Sequence, residues 1–172
     1  MTTAHELLAR LAKLGIAATT HRHAPAFTVE QGNQVWAGIP GIHCKNLFLK
    51  DAKGRLWLVC APADCRIDLK TLPALIGSAR LSFGSADRLR DALGVEPGSV
   101  TPFALVNDTG RRVGVVLDAW MMAQDLINFH PLRNDMTTTL APAGLMRFLG
   151  DTGHQPLVVD LTPPETDIDR TS

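Results

Sequence analysis

Two apolar runs joined by a turn constrain this chain more than any other feature. Leu47-Phe48-Leu49 is bounded by polar residues, Asp51-Ala52-Lys53-Gly54-Arg55 reads as a turn, and Leu56 to Ala61 returns as a second run. That pattern predicts a β-hairpin set into a core. The segment Gly41-Ile42-His43-Cys44 leads into its first strand. Lys45 and Asn46 therefore stand at the entry of a core strand, where a rigid element can hold a polar group over a pocket. Most lysines are solvated surface residues, and the strand by itself gives Lys45 no other role.

The flanking sequence alternates helices with short strands. Leu7, Leu8, Leu11 and Leu14 share one face of a helix from Thr3 to Leu14, stopped by Gly15. A strand is expected over Ile16–Thr20 and a loop over His21–Phe27. A helix follows from Val29, with Thr28 and Gln31 as a capping box, and Gly38-Ile39-Pro40-Gly41 breaks it. Beyond the hairpin, helices are expected over Asp68–Ile76, from Ser85 to Leu93, over Ala119–Gln124 and from Pro142 to Leu149, where Gly150 is the expected stop. Strands are expected over Arg80–Phe83 and Leu157–Leu161, and Leu126–Phe129 leads into His130-Pro131-Leu132. Phe103-Ala104-Leu105-Val106 and Val113–Leu117, around the turn Asn107-Asp108-Thr109-Gly110, predict a second hairpin. Hairpins mixed with helices favour an α+β domain with a mixed, largely antiparallel sheet surrounded by helices. One domain over residues 1–161 and a mobile C-terminal tail over 162–172 are expected.

Composition excludes several classes. Lysine plus arginine equals aspartate plus glutamate, 17 each, so the chain is not a generic nucleic-acid coater, although a local basic patch is compatible with zero net charge. Three cysteines at irregular spacing do not make a disulfide framework. No apolar run approaches a membrane span, and Met1–Glu6 lacks a signal-peptide pattern, so a cytoplasmic location is expected.

Familiar catalytic signatures are missing. His21, His23, His43 and Cys44 are too closely spaced to define a metal site without two further ligands at suitable intervals, so no metal is assigned. Cys44 beside Lys45 reads either as an activated nucleophile or as a small packed residue. Asp51 and Asp118 read better as strand-ending residues than as a carboxylate pair. No Gly-x-Ser-x-Gly elbow, Walker loop or dinucleotide fingerprint is present.

Four segments taken in order resemble one family: Pro25–Glu30, Lys45–Asp51, the loop Gly98-Ser99-Val100-Thr101-Pro102, and Asn128-Phe129-His130-Pro131-Leu132 with Asn134 and Thr137-Thr138. Over roughly residues 3–161 the chain resembles the editing-domain superfamily of bacterial prolyl-tRNA synthetases, the YbaK-like aminoacyl-tRNA deacylases. Within it, the chain is most similar to the free-standing ProXp-ala type. The resemblance implies a partly barrel-like sheet and a hydrolase without cofactor or metal. It implies an enzyme acting in trans on alanyl-tRNA(Pro), whose partners are the tRNA(Pro) acceptor stem and its 3′-terminal aminoacyl-adenosine, with prolyl-tRNA synthetase as a further partner and neither membrane nor DNA. A deacylase for another amino acid, cysteine or serine, or a non-catalytic tRNA-binding module of the same fold, is the alternative.

Under this resemblance Lys45 holds the substrate end, and the loop Gly98 to Pro102, through backbone N–H groups, stabilises the developing oxyanion. Asn46 orients Lys45 or meets the nucleotide. His130 contacts the nucleotide, supports the loop or acts as a base. Selectivity for alanine over the larger proline is a size problem, and Phe27, Val29, Leu47 and Phe103 are candidate walls. Lys50, Arg80, Arg133 and Asn134 are the expected tRNA contacts.

Overall fold

The ten-residue strand β2 (Ile42–Asp51) is the axis of the molecule. A computed structural model describes residues 1–25 and 34–162 of the chain. Along one edge β2 pairs antiparallel with β3 (Leu56–Pro62), in continuous register from Cys44↔Pro62 to Lys50↔Leu56. This is the hairpin read from the two apolar runs. Asp51 closes its turn: one carboxylate oxygen accepts from the amides of Lys53 and Arg55, the other from the indole N–H of Trp57. Asp51 is thereby a structural residue, as is Asp118, which caps the next helix through the Met121 amide and also accepts from Leu161.

The other edge of β2 is divided. Its first residues pair parallel with β6 (Ile127–Phe129), Ile42↔Ile127 and His43↔Asn128. Its last three pair antiparallel with β4 (Leu81–Phe83). Between them, residues 44–48 have no strand on this edge among the described residues. The remaining order is β1 (Ala18–Arg22), β7 (Met136–Leu140), β6, β2, β3, β5 (Val113–Asp118), β8 (Leu157–Val159), an open mixed sheet that does not close into a barrel. Pairings β3–β5 and β5–β8 are parallel.

Helices cover both faces. On one side lie α1 (Ala4–Lys13), α3 (Ala86–Leu93), a 3₁₀ helix (Pro102–Asn107) and α5 (Pro142–Thr152), sealed to the sheet by Leu7, Leu11, Leu93, Phe103, Phe148 and their neighbours. On the other side α2 (Leu72–Ile76) with Cys65 and Leu161 covers Leu49, Trp57, Val59 and Val116. A short α4 (Ala119–Met122) follows β5. Caps explain several boundaries: the hydroxyls of Thr3 and Ser85 accept from the amides of Glu6 and Arg88, and Gly77 and Gly94 take the left-handed conformation that ends α2 and α3.

Several expectations are corrected. Phe103–Val106 is not a strand. Pro102 presets a helical φ, and the Thr101 hydroxyl accepts from the Phe103 amide, so the run winds into a 3₁₀ helix. The second hairpin therefore does not exist, and β5 instead runs parallel to β3. Helix α5 passes through Gly150 and stops at Gly153, whose φ of 82° closes the C-terminus with His154 donating back to Leu149. A glycine within a helix weakens it; termination requires the left-handed turn. Strand β7 is absent from the sequence reading, because Thr137, Thr138 and Thr139 look polar. They are buried, and their hydroxyls bond His23, Thr20 and Asn128 in turn. The start of the sheet also shifts: β1 covers Ala18–Arg22, so His21 and Arg22 are strand residues and not loop.

Candidate functional site

The unpaired stretch of the β2 edge is a notch, and the motif segments gather around it. The pleat alternates side chains along β2. Cys44 and Phe48 pack on the side of the larger core, Leu47 and Leu49 on the other. Asn46 follows Cys44 and Phe48; Lys45 follows His43 and Leu47. The two polar residues at the strand entry therefore leave it on opposite sides, and Asn46 does not hold Lys45 in place.

Asn46 joins the strand to the Gly98–Pro102 loop. Its Nδ2 donates to the Val100 carbonyl at 3.0 Å. Its Oδ1 is buried and has no hydrogen-bond partner among the described residues. Gly98 has a φ of 94°, a conformation that side chains oppose. The Ser99 amide is already used, donating to Glu96, so it is not one of the loop's open donors. Among the described residues the amides of Val100 and Thr101 carry no hydrogen bond. Thr101 and Pro102 are buried and anchor the loop to the 3₁₀ helix.

Across the notch, Asn128, Phe129, His130 and Thr137 complete a narrow cleft with Cys44, Asn46, His43 and Trp36. It offers about 10 Å³ of room for a water's centre, close to the space one water needs. Asn128 is fully committed. It donates to Pro40 and Ile42 and accepts from Thr139, which clamps the β2 entry against β6. Gly41 makes this clamp feasible, since a Cβ there would sit 2.8 Å from Leu126 Cβ and 3.0 Å from Asn128 Nδ2.

His130 Nδ1 bonds the Met136 carbonyl at 2.9 Å. A carbonyl only accepts, so Nδ1 carries the proton and Nε2 keeps a lone pair. Burial pushes the His130 pKa below 6.5; the Met136 bond opposes that, and His23, with its ring 6.3 Å away, adds to the lowering. The imidazole is thus a neutral acceptor near neutral pH. Two residues on, Leu132 takes a φ of 71°. Cys44 is no nucleophile: burial raises its thiol pKa to about 12, and the thiol sits 3.6 Å from the Ile42 carbonyl. Among the described residues no three metal-ligating side chains converge.

The other expected residues divide. Phe103 is fully buried, edge-on to Phe129 and Phe148, so it is core and not a pocket wall. Leu47 packs on the second core cluster, on the Lys45 side. Phe27 and Val29, like the Thr28–Gln31 capping box and the tail beyond residue 162, lie outside the described residues. Lys50 and Arg80 meet in a cleft of about 410 Å³ that also includes Arg88. That cleft is about 13 Å from Asn46, four strand residues at ~3.3 Å each. Arg133 and Asn134 stay with His130, Arg133 forked onto Asp135 at 2.6 and 2.9 Å. His43 enters the sequence analysis only as a metal candidate, and Trp36, which lines the narrow cleft, and Trp120, which lines the concavity beside it, are missed there. A signal for them existed in the three tryptophans of a chain poor in aromatics.

Comparison with known proteins agrees with this architecture. The model of the aminoacyl-tRNA editing domain matches residues 23–148, which contain every part of the notch. The prolyl-tRNA editing protein ProX of Acetoanaerobium sticklandii is 37% identical over 156 residues, covering 90% of this chain and 95% of that protein. Prolyl-tRNA synthetase associated domain-containing protein 1 of Danio rerio is 38% identical over 156 residues, covering 90% and 85%. In fold, the chain is similar to a crystal structure named as a candidate trans-editing enzyme for prolyl tRNA synthetase. The TM-score is 0.70 at 19% identity, over 95% of this chain and 99% of that one. With a family model across most of its length and near full-length relatives above 30% identity, the chain belongs to the aminoacyl-tRNA editing domain family, the YbaK/ProX-like aminoacyl-tRNA hydrolases.

Proposed function

We propose that this protein removes alanine from mischarged tRNA(Pro), acting in trans on errors of prolyl-tRNA synthetase. The observation that carries the mechanism is the divided use of Asn46. Its Nδ2 fixes the loop through Val100, while its buried Oδ1 remains an acceptor in a cleft sized for one water and shared with His130. A water there donates one proton toward Asn46 Oδ1 and the other toward His130 Nε2; its oxygen bonds the ester carbonyl carbon as His130 takes that proton, and the acyl–ribose C–O bond then breaks with the proton passing from His130 to the leaving ribose oxygen. The amides of Val100 and Thr101 receive the charge that develops on the carbonyl oxygen, already oriented by the loop. An ester is activated enough that positioning and oxyanion stabilisation suffice without a triad. Lys45, on the other side of the strand, holds the nucleotide end as a compact cation. The names of the ProX relative and of the trans-editing fold support prolyl-tRNA synthetase as the source of the substrate.

The test is single-turnover hydrolysis of alanyl-, cysteinyl-, seryl- and prolyl-tRNA(Pro). Alanine should be released and proline spared if size selects the substrate, since a merely apolar pocket would discriminate by only about 1–3 kcal/mol per methylene. Faster release of cysteine or serine would reassign the substrate, and no release from any of the four would leave only a binding module.

The protonation state of His130 sets a pH dependence. A histidine whose pKa is lowered in the folded state stays neutral at and somewhat below 6.5. The hydrolysis rate should therefore hold through pH 6.5 and fall only at lower pH, and His130→Ala should remove that limb. Stability follows the same sign. As pH drops below 6.5 the unfolded chain takes the proton first, so this group's contribution declines between 6.5 and the lower folded pKa. A limb centred above 6.5 would mean that His130 is not the titrating group.

Lys50, Arg80 and Arg88 line one cleft, which supports assigning them to acceptor-stem phosphates. Lys50→Ala and Arg80→Ala should weaken tRNA binding without altering which amino acid is removed. For every phosphate that a variant no longer neutralises, the slope of log affinity against log salt should flatten by about 0.7–0.9. Unchanged slopes in both variants would put the RNA path elsewhere.

A further inference from the structure

A second, larger concavity adjoins the water-sized cleft and has no role in the chemistry above. It has a volume of about 400 Å³ and is lined by Trp36, His43 and Trp120 together with Gly41, Ala63 and Asp64. Trp36 and His43 are stacked, their ring centroids 4.6 Å apart and their planes within 6° of parallel. Burial lowers the His43 pKa, and its Nε2 faces the Ile39 carbonyl at 3.4 Å, so the ring is held neutral and flat. Trp36 and His43 also line the small cleft, so the two spaces share a wall. His43 lies on the Lys45 side of β2, two residues away.

We propose that this concavity binds the nucleobase of the RNA's 3′-terminal nucleoside, stacked on the Trp36–His43 platform. The proposal rests on the deacylase reading and specifies where that substrate's base goes. The volume falls within the ~300–1,000 Å³ typical of small-ligand sites. A flat aromatic pair is what single-stranded RNA ends use, because an unstacked base offers a π-face. The carboxylate of Asp64 accepts hydrogen bonds only, which suits a base with an exocyclic amine. The shared wall also fits. The ester hangs from the ribose, so the base must lie one sugar away from the attacking water, and the shared Trp36–His43 wall spans that step. Lys45, next along the same side, can meet the 5′ phosphate of that terminal nucleotide.

The test uses uncharged minihelices of the tRNA(Pro) acceptor stem, so that binding is read independently of hydrolysis. One ends in CCA and the other carries an abasic terminal nucleotide; affinities are measured by fluorescence anisotropy with wild type, Trp36→Ala and Trp36→Phe. A stacked base is worth about 1–3 kcal/mol, or about 5–150-fold in affinity. Removing either the base or the Trp36 ring should cost that much, removing both should cost no more than one, and phenylalanine should restore most of it. Equal binding of the two RNAs by wild type, losses that multiply, or no binding of the CCA-ended RNA at concentrations where alanyl-tRNA is deacylated would each overturn the proposal. Because wild type against the abasic end needs no variant, a Trp36→Ala protein that fails to fold leaves the test intact. Loss of deacylation on every charged tRNA, with stacking retained, would instead sink the deacylase reading alone.

Discussion

Lys45→Ala is expected to lose most deacylation, about 10–150-fold in single-turnover rate, and to stay folded. The two halves of the expectation come from different observations. Lys45 sits inside a strand whose register is continuous on both sides of it, opposite Ala61, so alanine fits the backbone without strain. No ion pair holds its ammonium among the described residues, so none is broken by truncation. Substitutions at strand positions span about 1 kcal/mol in propensity, too little to unfold a domain with two packed core clusters. The functional loss is that of a charge-assisted hydrogen bond, about 1.5–3 kcal/mol, made with the RNA end. Lys45→Arg is not a conservative rescue, because a planar fork does not reproduce a compact ammonium. Near wild-type hydrolysis by Lys45→Ala, with an unchanged melting temperature, would remove Lys45 from the site.

The hairpin is legible in the sequence because two signals agree in it. The apolar runs have strand length, and the polar turn between them contains both the residue that needs a left-handed φ, Gly54, and the one that caps the turn, Asp51. Helices α1 and α3 are legible for the same reason, with an apolar stripe and a cap at each. Apolarity alone misleads. Phe103–Val106 has neither alternation nor helical period, and a four-residue apolar run cannot distinguish a buried strand from a buried helical turn. The threonines of β7 mislead in the opposite direction. Their polarity suggests a surface, yet each hydroxyl finds a partner that sequence distance conceals, Thr20 to Thr138 spanning 118 residues.

For the site, residue identity is more legible than geometry. Asn46 shares a cleft with His130 and bonds the Gly98–Pro102 loop at Val100, although the three are far apart in the chain. The notch itself cannot be read from the sequence, because it exists only where β6 and β4 divide one edge of β2 between them. The opposite facing of Lys45 and Asn46 follows from strand alternation, which treating adjacent motif residues as one unit obscures.

Gly98→Ala should lower the single-turnover rate about 10²–10³-fold while tRNA affinity changes little. Gly98 has a φ of 94°, so any side chain there forces the loop out of its present path. That strain, about 1–2 kcal/mol, is tolerable for the fold, since Thr101 and Pro102 remain buried and anchor the far end. It is not tolerable for the amides. Val100 and Thr101 follow within three residues, and their N–H groups must lie within hydrogen-bond distance of an oxygen that becomes negative only in the transition state. Loss of one such donor costs about 10²–10³ in rate, more than the strain itself accounts for. Ser99→Ala is the contrast. The Ser99 amide already donates to Glu96, and alanine preserves that bond, so only a hydroxyl is removed and the rate should remain within a few-fold of wild type. Asn46→Ala should fall with Gly98→Ala, because it releases the Val100 carbonyl and removes the Oδ1 acceptor together. If Ser99→Ala abolishes hydrolysis while Gly98→Ala is tolerated, the loop acts through a side-chain hydroxyl and the backbone mechanism is wrong.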